Sequence, residues 1–598
     1  MKKIQFLIIT TLVLLLQSCG TATFNRTFSP QITQLHLLMS DLEYVGETEI
    51  EVTYSSYLGF IKNIHTINGI EYDGTQKQIA RLDPNWNGSM GKLDHATYKV
   101  LQQFPEARYF QVMRRTKVKE RLFLGSTVTE KATIRAYKLK KGDVFQTPSF
   151  LYTYSTKGNG QVSRNFHRWA RKYGLRHGEN SRYTLMNNWE ATYFNFNEPK
   201  LKSIIEDAAG MGFELFLLDD GWFGQKHPRN NDDAGLGDWV VNKEKLPNGL
   251  GWLVKQCTDN DIKFGIWVEP EMVNPQSELF DKHPDWVIQQ PGREHILFRR
   301  QLVLDLSNPE VQEFVYKSVH DILKDNPQIA FVKWDCNRAV TNPGSTYLPA
   351  DEQSHIWIEY GRGLLNVFKK VRDSHPDVHF MLCSGGGGRL DYGSLRYFEE
   401  YWPSDNTDAL QRILIQWGNS QFFPSIAMCC HVSASPNHQT GRTTPLKFRF
   451  DVAMQGALGM DLQPSTMNEK EVIFAKEAIK TYESIRNIVF TGDLYRILSP
   501  YEGNRTSMMY VLPDKSRAVF YAYQLKSHIG EVSAPMRFKG LSPDKKYNVK
   551  ELNIYPGSRA ATGSANGQSF SGDFLMNQGL PIGLSGDYSS AVIELEQQ

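Results

Sequence analysis

The segment that decides the fold is QIAFVKWDCNRAV, Gln328–Val340. Ile329, Phe331 and Val332 have the composition of a strand buried on both faces, yet the run goes straight on to Lys333, Asp335, Asn337 and Arg338. Charges at the end of a core strand are tolerable only where they meet one another, because an isolated buried charge is expensive. The residues upstream show what kind of strand this is. In NPEVQEFVYKSVHDILKDN, Asn308–Asn326, the residues Val311, Phe314, Val315, Val319, Ile322 and Leu323 fall on one helical stripe. Ser307-Asn308-Pro309-Glu310 opens it as a Ser/Asn cap with proline in the first turn.

The same alternation runs outward in both directions. TLMNNWEATYF, FELFLLDDGW, IKFGIWVEPEMV, RRQLVLDLS, HFMLCSGGGG, FEEYWPSD and SIAMCCHVS read as further strands. EPKLKSIIEDAAGMG, LGWLVKQCTDND, IEYGRGLLNVFKKVRDS, DALQRILIQWGN and, last, FRFDVAMQGALG read as helices. Eight β-then-α units predict a multidomain α/β plus β chain with a central (β/α)8 TIM barrel over residues 176–485. A Rossmann sheet is disfavoured: the run Gly385-Gly386-Gly387-Gly388 meets Leu390 where the last glycine of G-x-G-x-x-G is required, and there is no G-K-[ST] loop. On the N-terminal side, EIEVTYSS, TIRAYKL and SFLYTYST predict an abbreviated antiparallel β domain over 19–175, with poor periodicity between 63 and 106. On the C-terminal side, SMMYVLP, AVFYAYQL, YNVKELN and AVIELE predict an antiparallel β-sandwich over 486–598.

Composition narrows the function. A formal net charge of +2 without a Lys/Arg-rich run provides no field for nucleic acid. The N-terminus couples two lysines to an apolar run from Ile4 to Leu16 that is too short to span a bilayer, so 1–18 reads as a secretory signal. Leu16-Gln17-Ser18-Cys19 resembles a bacterial lipoprotein box, which makes Cys19 the expected lipidation site. The expected location is then the periplasmic face or cell surface of the outer membrane, held only by a lipid anchor. Cys257, Cys336, Cys383, Cys429 and Cys430 are odd in number and irregular in spacing, which argues against a disulfide framework. With neither C-x-x-C nor H-E-x-x-H present, no metal site and no cofactor are expected.

In a barrel the C-terminal strand ends carry the active site. Those ends hold Asp219 and Asp220, Glu269 and Glu271, Arg299, Arg300 and Asp305, then Lys333, Asp335 and Asn337, then Asp405 and Asp408. Two carboxylates in different surroundings are the equipment of glycoside hydrolysis. Lys333 and Asp335 share a strand face at i, i+2, so the ammonium should keep Asp335 ionised, as suits a nucleophile. Asp405, close in sequence to Asp408, should have a raised pKa, as suits a general acid, although Asp408 could exchange roles with it.

The ordered motifs LFLLDDGWFG, GDWVVNKEKLPNGL, GIWVEPEMVNP, RRQLVLDLSNPEV, VKWDCNR, CSGGGGRLDYG and WPSDNTDAL resemble those of the retaining α-galactosidases of glycoside hydrolase family 36, related to family 27. The resemblance covers 145–480 strongly and the C-terminal region loosely. It implies Asp335 as the nucleophile that forms a covalent galactosyl-enzyme and Asp405 as acid/base. It implies Asp219 and Asp220 as acceptors of the 4- and 6-hydroxyls of galactose, and Lys333, Asn337 and Arg299 as further hydroxyl ligands, Arg300 being the fallback. Cys383 and Gly385 fall on the 2-hydroxyl side, and Trp189 and Trp267 resemble apolar walls; Glu269 and Glu271 read as structural. The implied partner is an α-galactoside oligosaccharide or glycan. The region before 145 is shorter than the family's N-terminal β-sandwich, and no residues in it match the Asp and Trp of that domain's loops, so the oligomeric state is left open. Alternatives on the same residues are an α-N-acetylgalactosaminidase, which needs room beside Cys383 and Gly385, a transglycosylase, and a non-catalytic glycan-binding lipoprotein.

Overall fold

A computed structural model describes residues 148–598, apart from 291, 529 and 531–533, together with short strand segments between 33 and 145. The signal region and Cys19 lie outside the described residues. The chain divides into two compact units, one of 1–152 with 343–361 and one of 153–342 with 362–598.

The described strands of the first unit all pair antiparallel, in keeping with the expected N-terminal β domain. Ile64–Ile70 lies between Gln76–Arg81 and Tyr109–Arg114, within the stretch of poor sequence periodicity. Thr48–Glu51 pairs with Ala136–Leu139, and Thr33–Leu35 with Phe150–Tyr152.

The second unit holds an eight-stranded parallel sheet. Its strands are β1 Leu185–Asn187, β2 Leu215–Leu218, β3 Lys263–Val268, β4 Ile329–Trp334, β5 His379–Leu382, β6 Glu400–Tyr401, β7 Cys429–Ser433 and β8 Ala457–Asp461. The order runs β6-β5-β4-β3-β2-β1-β8-β7, and a parallel bridge between Tyr401 and Met428 joins the two ends into a barrel. The helices that return from each strand to the next are α1 Glu198–Met211, α2 Leu250–Asp259, α3 Pro309–Asp325, α4 Ile356–Ser374, the single turn α5 Tyr392–Leu395, α6 Ala409–Asn419, α7 Leu446–Ala453 and, after the last strand, α8 Glu469–Thr491. Capping follows the sequence: Asn308 accepts from Glu310 N at the start of α3, and Asn468 and Glu471 form a capping box on α8.

The count of eight is right but its membership differs from the sequence reading. Leu302–Val303, within RRQLVLDLS, pairs antiparallel with Met272–Val273 outside the barrel. The eighth strand lies instead inside FRFDVAMQGALG and beyond it, because α7 stops at Ala453 and ALGMD is β8. Gly459 is what lets β8 close: a Cβ there would sit 2.4 Å from the His431 ring of β7.

Strand alternation answers the puzzle of the charged strand end. Leu185, Leu215, Leu217, Phe331, Met381, Cys383, Trp402 and Cys429 form one buried cluster inside the barrel. Phe331, Lys333 and Asp335 are therefore successive inward positions of one chain face, apolar low in the barrel and charged at its mouth. Between them, Trp334 points outward and meets Phe368 of α4 edge-on at 5.1 Å.

Beyond α8, six antiparallel strands form one sheet: β9 Asp493–Leu498, β10 Arg505–Val511, β11 Arg517–Gln524, β12 Lys546–Leu552, β13 Ser569–Ser571 and β14 Ser589–Gln597, ordered β9-β10-β11-β14-β12-β13. Among the described residues, the layer opposing this sheet is made of connecting segments and the short helix Gly572–Asn577, with a bridge between Met536 and Leu580. Its core includes Met509, Phe520, Phe538, Leu575 and Ile593. The other face docks on the barrel through tyrosines, whose hydroxyls donate to the last carbonyls of α7 and just after it: Tyr523 to Asp451 O at 2.6 Å, Tyr521 to Met454 O and Tyr510 to Gln455 O, both at 3.0 Å. Carbonyls that end a helix without an intrahelical partner are satisfied in this way.

Candidate active site

Because the barrel strands are in parallel register, their C-terminal residues collect at one mouth. Trp267 of β3 lies beside Lys333 of β4, which lies beside Met381 of β5. Asp335 follows β4 directly and is buried, 5% exposed. It receives the Cys336 amide at 2.8 Å on Oδ1, and the Asn337 side-chain amide at 2.6 Å and the Trp267 indole N–H at 3.2 Å on Oδ2. Burial alone would raise its pKa, but Lys333, the Cys383 thiol and these donors together hold it below the ordinary carboxylate value. Trp267 has a polar contact beside the apolar wall that the resemblance implied. Its ring does pack against Phe223, with centroids 6.1 Å apart, yet its N–H is a ligand of Asp335.

Lys333 donates to Asp219 Oδ2 at 2.8 Å, and Asn187, at the end of β1, donates to the same oxygen at 2.8 Å. Burial works against the ammonium, but Asp219, Cys383 and Asp335 keep its pKa above that of a free lysine. Asp220 is clamped by Arg229, whose Nε and Nη2 donate to its two oxygens at 3.0 and 2.8 Å. Burial raises the Asp220 pKa even against Arg229. Sequence reading missed Arg229, since HPRNNDD looks like any polar loop. It could have found Asn187, which ends a strand as Asp219 and Asp335 do.

Asp405 lies four residues past the end of β6 and is exposed to solvent. Trp402 Nε1 donates to its Oδ1 at 3.0 Å. The surrounding protein and then the Asp335 carboxylate push its pKa up, against Lys333 and Arg299. The expected direction is present, but its sources are burial first and Asp335 second, not Asp408. Asp408 caps α6 through Gln411 N, accepts from Thr440 Oγ1 at 2.6 Å and pairs with Arg442 at 2.9 Å. It is structural and does not exchange roles with Asp405.

The segment after β5 faces both carboxylates. Gly385 N donates to Asn337 Oδ1 at 2.9 Å and reaches Asp335 Oδ1 at 3.4 Å, and a Cβ on Gly385 would lie 3.9 Å from Asp405 Oδ2. Gly386 packs so closely on the next loop that a Cβ would meet Ser404 Cα at 2.6 Å. Cys383 is buried at the foot of this turn, and burial and the two aspartates drive its pKa far up. All five described cysteines are free and buried. Among the described residues no three His, Cys, Asp or Glu side chains group as a metal site.

Arg299 and Arg300 both adopt left-handed backbone, φ 50° and 59°, in a turn closed by Gln301 N to Phe298 O. The turn splits them. Arg299 acts electrostatically on Asp405, whereas Arg300 turns away to Asp233 at 2.9 Å. Trp189, half-buried after β1, meets Tyr193 edge-on at 5.4 Å. Glu271 is held by Arg389 and by Trp334 Nε1, a structural pairing as expected. Glu269 is buried beside Asp335, accepts from Asn337 N and from Gln301, and is pushed up to about 8 by burial and by Asp335.

Comparison with known proteins adds an independent line. The Melibiase family model matches residues 144–492, and the model of the glycosyl hydrolase family 36 C-terminal domain matches 505–595. Alpha-galactosidase AgaA of Geobacillus stearothermophilus is 43% identical over 424 residues, 70% of this chain and 57% of its own. Alpha-galactosidase C of Emericella nidulans is 39% identical over 474 residues, 77% of this chain and 60% of its own. The crystal structure of AgaA aligns with a TM-score of 0.73 at 40% identity, covering 78% of this chain and 62% of that one. A variant of AgaA has been solved in complex with raffinose. This chain therefore spans about three-fifths of the length of the curated relatives it matches.

Proposed function

The chain belongs to the Melibiase family, and on that premise we propose that it is a retaining exo-α-galactosidase releasing terminal α-galactosyl residues from oligosaccharides or glycans. The observation that carries the reading is the pairing of Asp335 and Asp405 around the Gly385 turn, one held ionised and the other held toward its protonated form. In the first step an oxygen of Asp335 attacks the anomeric carbon while Asp405 gives its proton to the departing glycosidic oxygen. In the second, Asp405 takes a proton from water, the water attacks the anomeric carbon, and Asp335 leaves. Trp267, Asn337 and the Cys336 amide keep the nucleophile aimed. Asp219 and Asp220, each fixed by a buried cation, are rigid acceptors for galactose hydroxyls, and a wrong epimer would leave them unpaired. Lys333, Asn337, Arg299, Cys383, Gly385 and Trp189 complete the proposed sugar site.

The deciding experiment is hydrolysis of p-nitrophenyl α-galactoside beside the α-N-acetylgalactosaminide and the α-glucoside. Turnover of the galactoside alone supports the proposal. Preference for the acetamido sugar moves the specificity, and silence on all three removes the activity. Envelope anchoring through Cys19 is proposed on its leader motif. Loss of fatty-acid labelling in Cys19→Ala is the expected result, and unchanged labelling excludes that anchor.

A further inference from the structure

Asp405 stands on little of its own. Its strand β6 is only two residues long, and although Trp402 Nε1 of the same segment donates to its exposed carboxyl, the backbone that carries it is fixed from neighbouring loops. Those loops converge on Glu190. Its side chain is 4% exposed, in the turn after β1, next to Trp189. Its Oε1 accepts from Thr407 Oγ1 at 2.6 Å, and Thr407 lies two residues past Asp405. Its Oε2 is buried without a hydrogen-bond donor in good geometry and faces His438 Nδ1 at 3.6 Å. Its amide donates to Asp461 Oδ1, at the end of β8, at 2.7 Å.

The segment after β7 closes the circuit. Asn437 Nδ2 donates to Thr407 Oγ1 at 3.1 Å, Ser433 Oγ to Thr407 O at 2.9 Å, and Gln439 Nε2 to Asp405 O at 3.0 Å. Glu190 thus links the turn after β1 to the segments after β6 and β7 through its carboxylate, and to the end of β8 through its amide, around the backbone of Asp405. We propose that Glu190 is a positioning residue for the acid/base, acting through Thr407 and the His438–Gln439 segment to hold Asp405 over the leaving-group oxygen. The nucleophile is held by other groups: the donors to Asp335 are Trp267, Cys336, Asn337, Gly385 and the Cys383 thiol, and none of them bonds to Glu190. The inference rests on the galactosidase reading above and assigns Glu190 to one half of that reaction.

That asymmetry supplies a test that a purely structural role would not pass. A p-nitrophenolate leaves without a proton, whereas the alkoxide of methyl α-galactoside has to be protonated as it leaves. Because kcat/KM reports only the steps through bond cleavage, it is measured on both substrates for the full chain and for Glu190→Ala, Glu190→Gln and His438→Ala. Glu190→Ala is expected to lose at least about tenfold more on the methyl than on the aryl galactoside, a fraction of what a general acid contributes. Glu190→Gln keeps an oxygen for Thr407 and should recover part of the difference. Equal losses on the two substrates, or none, overturn the assignment. Should Glu190→Ala fail to fold, the exposed His438→Ala decides, with the same selective loss expected to a smaller degree and an equal or absent loss overturning the proposal. A parent chain inactive on both galactosides overturns the galactosidase reading and this inference together; an active parent with unselective variants overturns this inference alone.

Discussion

Lys333 and Asp219 form a buried ion pair, 2.8 Å between Nζ and Oδ2, joining the ends of β4 and β2 across the intervening β3, 114 positions apart in sequence. The lysine does two jobs at once. It neutralises Asp219 and it depresses the pKa of Asp335, two residues along its own strand. Replacing it with methionine therefore leaves Asp219 buried with only neutral donors, a loss of the order of 3–5 kcal/mol. Lys333→Met is expected to lower the melting temperature in a thermal scan. In the enzyme that still folds, the acid limb of kcat/KM should move to higher pH. An unmoved limb would separate Lys333 from Asp335.

The two proposed catalytic carboxyls set the pH profile of the parent. Asp335 has to be ionised and Asp405 protonated for the first step, so kcat/KM rises with pH through the depressed pKa and falls through the raised one. The expected bell has its acid limb below the ordinary aspartate value of ~3.9 and its alkaline limb above it. Asp335→Asn should cut turnover by roughly 10⁴-fold or more while leaving circular dichroism unchanged. Substantial residual activity in that variant would remove Asp335 from the mechanism.

How much of this was legible in sequence depended on whether a residue works within its own segment. Asp335, Lys333 and Asn337 share one strand end, so their chemistry could be read from i, i+2 spacing. Arg229 and Glu190 could not: Arg229 turns back on Asp220, nine positions earlier, through an irregular loop without a periodic pattern, and Glu190 meets Thr407, 217 positions away, only once the barrel closes. Asp408 misled for the converse reason. Its closeness to Asp405 in sequence does not become electrostatic coupling, since its carboxyl points to Arg442 and the start of α6.

The eighth strand was missed because alanine and glycine in ALGMD extend the helical look of FRFDVAM, whereas the small residues are there to admit His431. Gly459→Ala tests this. The added methyl would meet a buried imidazole wedged against Trp402, 4.4 Å between ring centroids, with little room to move. Overpacking of this kind costs about 1–3 kcal/mol. A lowered melting temperature is expected, and an unchanged one would mean that the β7–β8 contact yields without cost.

Glu269 offers the last test, because its burial beside Asp335 makes it a carboxyl that the folded protein keeps protonated. Its pKa is pushed up to about 8 by burial first and by Asp335 second, against an ordinary value of ~4.3 in the unfolded chain. Between those two pH values the folded state holds a proton that the unfolded state has lost, so stability falls as pH rises through that window. Glutamine is close in shape to the protonated acid and keeps an oxygen for the Asn337 amide, and a flip of the Gln301 amide would present its unpartnered oxygen to the new side-chain amide. Glu269→Gln cannot ionise, so its melting temperature should gain on the parent's as pH is raised from 5 to 8. A difference between the two proteins that stays flat across that range would show that Glu269 is already ionised in the fold, and would return its negative charge to the surroundings of Asp335.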